Sequence, residues 1–201
     1  MFHVKHFSQK RISQYKSLIG RFKDSLDLMS ESAYENIDQH LSDAKAIARA
    51  IQSSVHLPRH ILDLGSGVGL PGVVISILLP DTTVILAERR RRRGAFLEIA
   101  RSQLDLRNTE VFLGDVRHLG GENYEVITAL AFGALTKIYN STLHLHTEDI
   151  TIISRKSADW ILELEQLEDH LGVKAKMTKE RSLGTHGRLI TVQIPGGIEY
   201  Q

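Results

Sequence analysis

Apolar residues recur at three- and four-residue steps near the start of the chain. Ile12, Tyr15, Leu18, Ile19, Phe22 and Leu26 fall on one helical face, and Leu41, Ala44, Ile47, Ala48 and Ile51 on another. Residues 8–55 therefore read as helical, and Ser30 in Ser30-Glu31-Ser32 is placed to cap a helix start between the two stripes. Pro58 ends this region, and short apolar runs then alternate with longer amphipathic ones. The pattern predicts strands at 60–64, 83–88, 110–113, 125–129, 151–154 and 189–194, with helices at 71–79, 92–104, 135–143 and 158–171. Strands separated by helices imply an α/β, doubly wound, mostly parallel sheet with helices on both faces. The last strand follows a loop instead of a crossover helix, which predicts an antiparallel edge. Residues 1–57 read as a helical cap and 58–201 as the sheet domain, together one compact unit.

The first strand runs into Gly65-Ser66-Gly67-Val68-Gly69-Leu70-Pro71-Gly72, a turn that opens a helix. Glycines this dense let the backbone turn tightly and approach a ligand closely, at a conformational-entropy cost that a bare turn does not justify. Pro71 suits the first turn of the following helix, whose N-terminus favours a polar or charged ligand group. Two cofactors fit these letters. Gly67 to Gly72 satisfies G-x-G-x-x-G, the dinucleotide fingerprint, with Glu88 at the distance of a ribose-binding acid. In the other register, Asp63 at a strand end is followed by G-x-G-x-G, which resembles motif I of class I S-adenosylmethionine methyltransferases, a seven-stranded, Rossmann-like fold. Dinucleotide-binding strands run apolar into their first glycine, so Asp63 favours the methyl donor.

Glu88 ends the second strand, where its carboxylate matches a vicinal diol of the adenosyl ribose. Arg89 to Arg93 follow and start a helix, a place the helix dipole makes unfavourable for cations. Such a run is either solvated or meets a polyanion, and Arg89, Arg90 and Arg91 are candidate RNA contacts. A 2′-phosphate partner keeps NADP open as an alternative. Asp115, after the third strand, fits a contact to the adenine amine or a helix N-cap. Arg155 and Lys156 end a later strand on the ligand-bearing edge and are further RNA candidates, with an exposed basic pair as the alternative. His144 and His146 read as surface histidines, and no metal set is expected around them.

Composition narrows the partners. Lys and Arg total 25 against 24 Asp and Glu, so nucleic-acid binding requires local clustering of charge. Cysteine is absent, which excludes disulfides and fits a reducing compartment. No secretory signal or long apolar run is evident, and a cytoplasmic protein, as a monomer, is expected.

Taken together, Asp63 to Gly72 with its Leu-Pro-Gly ending resembles the glucose-inhibited division protein B family, the small-subunit ribosomal RNA guanine-N7 methyltransferases (RsmG). The similarity extends through Glu88, Arg92-Arg93, Phe96-Leu97, Ile127-Thr128-Ala129 and Lys156, and upstream to Gln39-His40-Leu41-Ser42-Asp43. It implies methyl transfer from S-adenosylmethionine to guanine N7 of 16S ribosomal RNA, with no general base. It also implies that Gly65, Leu70 and Val116-Arg117 line the cofactor, with Asp63, Gly67, Glu88, Asp115 and the position of Leu130 beside them. Departures stand at Asp115-Val116-Arg117, where the family has Arg-Ala-Glu, at Leu130, where it has arginine, and at Ser157, where it has glycine. Arg117 or Arg155 is the expected substitute for the arginine missing at 130. A small-molecule methyltransferase and a catalytically weakened RNA-binding relative are the competing expectations.

Overall fold

The computed structural model describes residues 2–54, 56–121, 123–146, 148–183 and 187–196. Met1, Val55 and residues 197–201, which fall within the ranges read from the sequence, lie outside the described residues. Three helices come first: α1 (Phe2–Phe22), α2 (Glu31–Glu35) and α3 (Ile37–Gln52). Ser30 caps α2 as its position predicts, its hydroxyl accepting from the Ala33 N–H at 3.2 Å. Strands and helices then alternate as β1 (His60–Leu64), α4 (Gly72–Leu78), β2 (Thr83–Glu88), α5 (Arg91–Gln103) and β3 (Thr109–Leu113). They continue through β4 (Val126–Ala129), α6 (Leu135–Thr142), β5 (Ile150–Lys156), α7 (Trp160–Leu171), β6 (Lys176–Leu183) and β7 (Gly187–Ile194).

The seven strands form one sheet in the order β3-β2-β1-β4-β5-β7-β6. The five strands from β3 across to β5 are mutually parallel, and β7 pairs antiparallel with both β5 and β6. The last strand is antiparallel as expected, but it is not an edge: β6 lies outside it. β6 escapes the sequence pattern because Lys176, Met177, Lys179, Glu180, Arg181 and Ser182 are all exposed. An edge strand wet on both faces has no alternation to read, and its charges discourage pairing with other chains.

Strand alternation divides the core. Ile61, Val84, Leu86 and Val126 face the layer of α1, α3, α4 and α5, while Leu62, Leu64, Ile85, Ala87 and Ile127 face α6 and α7. The N-terminal helices thus share a hydrophobic core with α4 and α5. Tyr15 of α1 is fully buried, and its hydroxyl donates to the Val68 carbonyl in the glycine turn. Burial, and then the charge of Asp63, push the Tyr15 phenol well above its ordinary value.

Asp63 sits on the same face, one residue before the strand ends. Its Oδ1 accepts from the Thr128 hydroxyl of β4 at 2.7 Å, and its Oδ2 from the Gly72 N–H at the start of α4 at 3.2 Å. Gly72 has no room for a side chain, since a Cβ would stand 2.3 Å from Leu86 Cδ2 and 2.6 Å from Asp63 Oδ2. Burial raises the Asp63 carboxyl from 3.8 to about 6, against the pull of its hydrogen bonds.

Two outcomes follow from this packing. Between the ordinary Asp63 value and its raised one the folded chain binds more protons than the unfolded one, so this group's contribution to stability falls as pH rises from 3.8 to about 6. Asp63→Asn, which has no such titration, is therefore costlier at pH 4.5 than at pH 7, by about 2 kcal/mol in urea unfolding; equal costs at both values refute the raised carboxyl. Tyr15→Phe leaves the Val68 carbonyl without its donor and lowers unfolding free energy by about 1–3 kcal/mol. An unchanged urea midpoint rules out a stabilising Tyr15–Val68 bond.

Candidate active site

A cleft of about 440 Å³ opens at the carboxyl ends of the parallel strands, within the size range of small-molecule sites. Leu64 at the end of β1 and Gly65 after it form its floor, and Glu88, Arg89, Arg90 and Arg93 form one wall. Gly114 to Arg117 close a side after β3, and Ala131, Phe132, Lys137 and Ser141 stand opposite.

The glycine turn is determined by its backbone. Gly65, Gly67 and Gly69 have φ of 70°, 59° and 92°, a region side chains with a Cβ rarely adopt. The Gly65 and Ser66 amides both donate to the Ala87 carbonyl of β2, at 2.9 and 3.0 Å. Gly69 N–H closes the turn onto the Ser66 carbonyl at 2.7 Å. Helix α4 begins at Gly72, with Pro71 in the cap position one residue before it.

Glu88 is 5% exposed, and its two oxygens divide their work. Oε2 accepts from the Gly67 N–H at 2.9 Å and Oε1 from the Arg90 N–H at 2.8 Å. The carboxylate thus ties the glycine turn to the start of α5, and each oxygen keeps acceptor capacity for a ligand.

Asp115 caps the short 3₁₀ turn at Val116–His118 by accepting from the Arg117 N–H at 3.1 Å. Its oxygens also hold the Arg117 guanidinium, Nε at 3.0 Å and Nη2 at 2.6 Å. That pairing keeps the Asp115 carboxyl well below the usual carboxylate range. The N-cap reading of Asp115 is therefore realised, while Asp115, Val116 and Arg117 all line the cleft.

The other sequence candidates separate. Gly65, Glu88, Arg89 and Arg90 line the cleft; Asp63, Gly67, Leu70 and Leu130 do not. Asp63 lies beneath the turn and holds it, while Leu70 and Leu130 pack against the core that includes the helical cap. Arg91 is exposed on the first turn of α5. Arg155 is exposed on the cap side of β5, where its charge, after burial, helps lower the His40 pKa. Lys156 corrects the reading of an exposed basic pair. Its side chain is 4% exposed and pairs with Glu163 of α7 at 2.7 Å, so its ammonium is not presented to RNA. His146 is also a correction, since it is buried against Tyr139 and burial lowers its pKa to about 4. Of the two substitutes expected for an arginine at 130, Arg117 lies in the cleft wall but is engaged by Asp115, and Arg155 lies toward the cap.

Phe132 and Lys137 went unremarked in the sequence. Phe132 lies three residues past the end of β4, and an aromatic residue in the loop between a strand and a helix was the available clue. Lys137 lies on α6, outside the motifs read from the sequence, and carried none.

Comparison with known proteins places this geometry. The family model GidB, described as rRNA small subunit methyltransferase G, matches residues 8–188. The ribosomal RNA small subunit methyltransferase G of Francisella tularensis is 30% identical over 167 residues, covering 81% of this chain and 78% of that protein. The Ruthia magnifica protein of the same name is 31% identical over 142 residues, and the Cupriavidus pinatubonensis one 32%. Each of these two matches covers 67% of this chain, and the chain spans 65% and 60% of their lengths. Among solved structures, a SAM-dependent methyltransferase from Aquifex aeolicus superposes with a TM-score of 0.62 at 14% identity, covering 83% of this chain and 99% of that one. TYW2 of Pyrococcus horikoshii, in complex with MeSAdo, superposes at 0.63 and 12% identity over 78% of this chain and 63% of that one. The fold is that of the class I methyltransferases. By the match over residues 8–188, the chain belongs to the GidB family, rRNA small subunit methyltransferase G.

Proposed function

We propose that the chain transfers a methyl group from S-adenosylmethionine to N7 of a guanine in small-subunit ribosomal RNA, acting in the cytoplasm. The observation that carries this reading is the cleft itself, in a chain matched by the family model over residues 8–188. Its floor is bare backbone at Gly65, where a Cβ would stand 3.2 Å from Phe132 Cδ2, and its wall is the Glu88 carboxylate. These residues fit an adenosyl ligand. Glu88 accepts the ribose hydroxyls with the acceptor capacity left by Gly67 and Arg90. Gly65, Gly67 and the Asp115–Arg117 turn flank the ligand, and Asp63, Leu70 and Leu130 support that wall from the core side. The bound cofactor supplies an electrophilic methyl group on a sulfonium.

Guanine N7 has a lone pair and no proton, so the chain need not supply a base. Its task is alignment of N7, methyl carbon and sulfur, and exclusion of competing geometry. Arg89, Arg90 and Arg91, on the rim beside Glu88, meet RNA phosphates, with Arg155 farther along the same sheet edge. The acceptor is a looped or single-stranded base, because an A-form duplex hides N7 in a narrow groove. The helical cap, residues 1–57, holds the glycine turn through Tyr15. The test is labelled-methyl transfer to deproteinised small-subunit ribosomal RNA, with the product mapped by cleavage at 7-methylguanosine. Label at N7 of one guanine supports the reading, and no transfer, or label on another atom, sinks it.

Two variants separate cofactor from RNA binding. Glu88→Ala weakens S-adenosylmethionine by about 1.5–3 kcal/mol in calorimetry, the scale of hydrogen bonds to a charged group. An unchanged dissociation constant moves the ribose contact elsewhere. Replacing Arg89, Arg90 and Arg91 by Ser leaves cofactor affinity nearly intact and flattens the salt dependence of RNA binding. Each lost phosphate contact lowers the slope of log affinity against log salt by about 0.7 to 0.9. If the slope of the triple variant matches the wild type, the arginines are only a solvated helix start.

A further inference from the structure

The cleft wall after β4 carries an aromatic ring whose task the preceding reading leaves open. Phe132 is half-buried and is the aromatic residue among those lining the cleft. Its Cδ2 would lie 3.2 Å from a Cβ at Gly65, so the ring stands against the bare backbone of the turn, across from the Glu88 wall. The loop that bears it is held from behind. Lys156 pairs with Glu163 at 2.7 Å and donates to the Gly133 carbonyl, and Glu163 accepts from the Leu135 N–H at 3.1 Å. The pair, its lysine buried and its glutamate partly exposed, therefore fixes Gly133 and Leu135, just after the ring in the chain. The ring also already faces a cation: Lys137 Nζ lies 5.2 Å from its centroid, within cation–π range. Lys137 is exposed and has no ion pair among the described residues.

We propose that Phe132 is the platform on which the target guanine stacks, and that the stack strengthens as the base becomes cationic. This rests on the methyltransferase reading above. As the N7 lone pair forms its bond to the methyl carbon, the carbon–sulfur bond breaks and its electron pair stays on sulfur. Sulfur ends neutral, the purine ends with the positive charge, and no proton moves. A neutral purine stacks on a phenyl face through dispersion and area burial. A purine acquiring positive charge is in addition attracted by the ring quadrupole, as the Lys137 ammonium is. An interaction stronger in the transition state than in the ground state raises the rate. Lys137, on a long flexible stem, gives up the ring face when the base enters and turns to a flanking phosphate.

The experiment compares wild type with Phe132→Leu, which stays apolar, and Phe132→Tyr, which keeps the ring. In methyl transfer to deproteinised small-subunit ribosomal RNA, Phe132→Leu lowers kcat by roughly 10- to 100-fold, the loss of one base–aromatic stack, and Phe132→Tyr restores it. Calorimetry gives all three proteins the same affinity for S-adenosylmethionine. Without any cofactor, wild type binds 7-methyl-GMP more tightly than GMP, and Phe132→Leu removes that preference. The proposal is overturned if Phe132→Leu keeps the wild-type kcat, or if leucine serves as well as tyrosine. It is also overturned if the defect lies in S-adenosylmethionine binding while S-adenosylhomocysteine binding is unaffected, because the ring then faces the sulfonium. Wild type that methylates no guanine refutes the underlying activity. Equal binding of 7-methyl-GMP and GMP by wild type refutes the stack whatever the activity.

Discussion

The buried carboxylate of Asp63 joins β1, β4 and the start of α4 in one place, and the geometry of the cleft depends on it. One oxygen takes the Thr128 hydroxyl and the other the Gly72 N–H. Gly72 comes this close because it has no side chain, and Leu86 fills the space beyond. The penalty of burying a charge is visible in the raised carboxyl, whose hydrogen bonds offset it only in part. With α4 anchored in this way, the backbone between Leu64 and Gly72 has few paths, and the positive φ angles at Gly65, Gly67 and Gly69 follow. Tyr15 closes the same turn from the helical side, so the cap and the cleft are parts of one packing unit.

Charge is distributed unevenly around the cleft. On the α5 side, Glu88 is held by backbone amides and a row of exposed arginines follows it without a side-chain cap. On the β3 side, Asp115 and Arg117 neutralise each other. On the β4 side, Lys156 is buried against Glu163, and the pair stiffens the loop of Phe132 without adding its ammonium to the rim. A chain whose Lys and Arg exceed its Asp and Glu by one can therefore present a basic rim, because Asp115 and Glu163 are engaged while Arg89, Arg90 and Arg91 have no ion pair among the described residues.

Much of the fold was legible because its determinants are local. A helix stripe, a capping serine and a run of β-branched residues act within a few positions of themselves. The glycine turn and Glu88 were legible for the same reason, and they are where the cleft has its floor and wall. β6 was not legible. Its hydrogen bonds come from β7, and its exposed charged faces carry no period. Lys156 read as half of an exposed pair because Glu163 reaches it only when α7 folds back against β5 and α6.

The sequence by itself determined the order of the elements other than β6, the turn after β1 and, through the residues of that turn, the resemblance to the family. The elements and the turn need only the backbone preferences of glycine and proline and the periodicity of apolar positions; the family rests on the likeness of Asp63 to Gly72 and its companion motifs. Tertiary structure decided which side of each strand meets the cleft. Asp63 and Leu64 are neighbours in sequence, yet one is held under the start of α4 and the other borders the cleft. A strand's alternation specifies that two faces exist, and only the helices packed on the sheet determine which face is core and which is site.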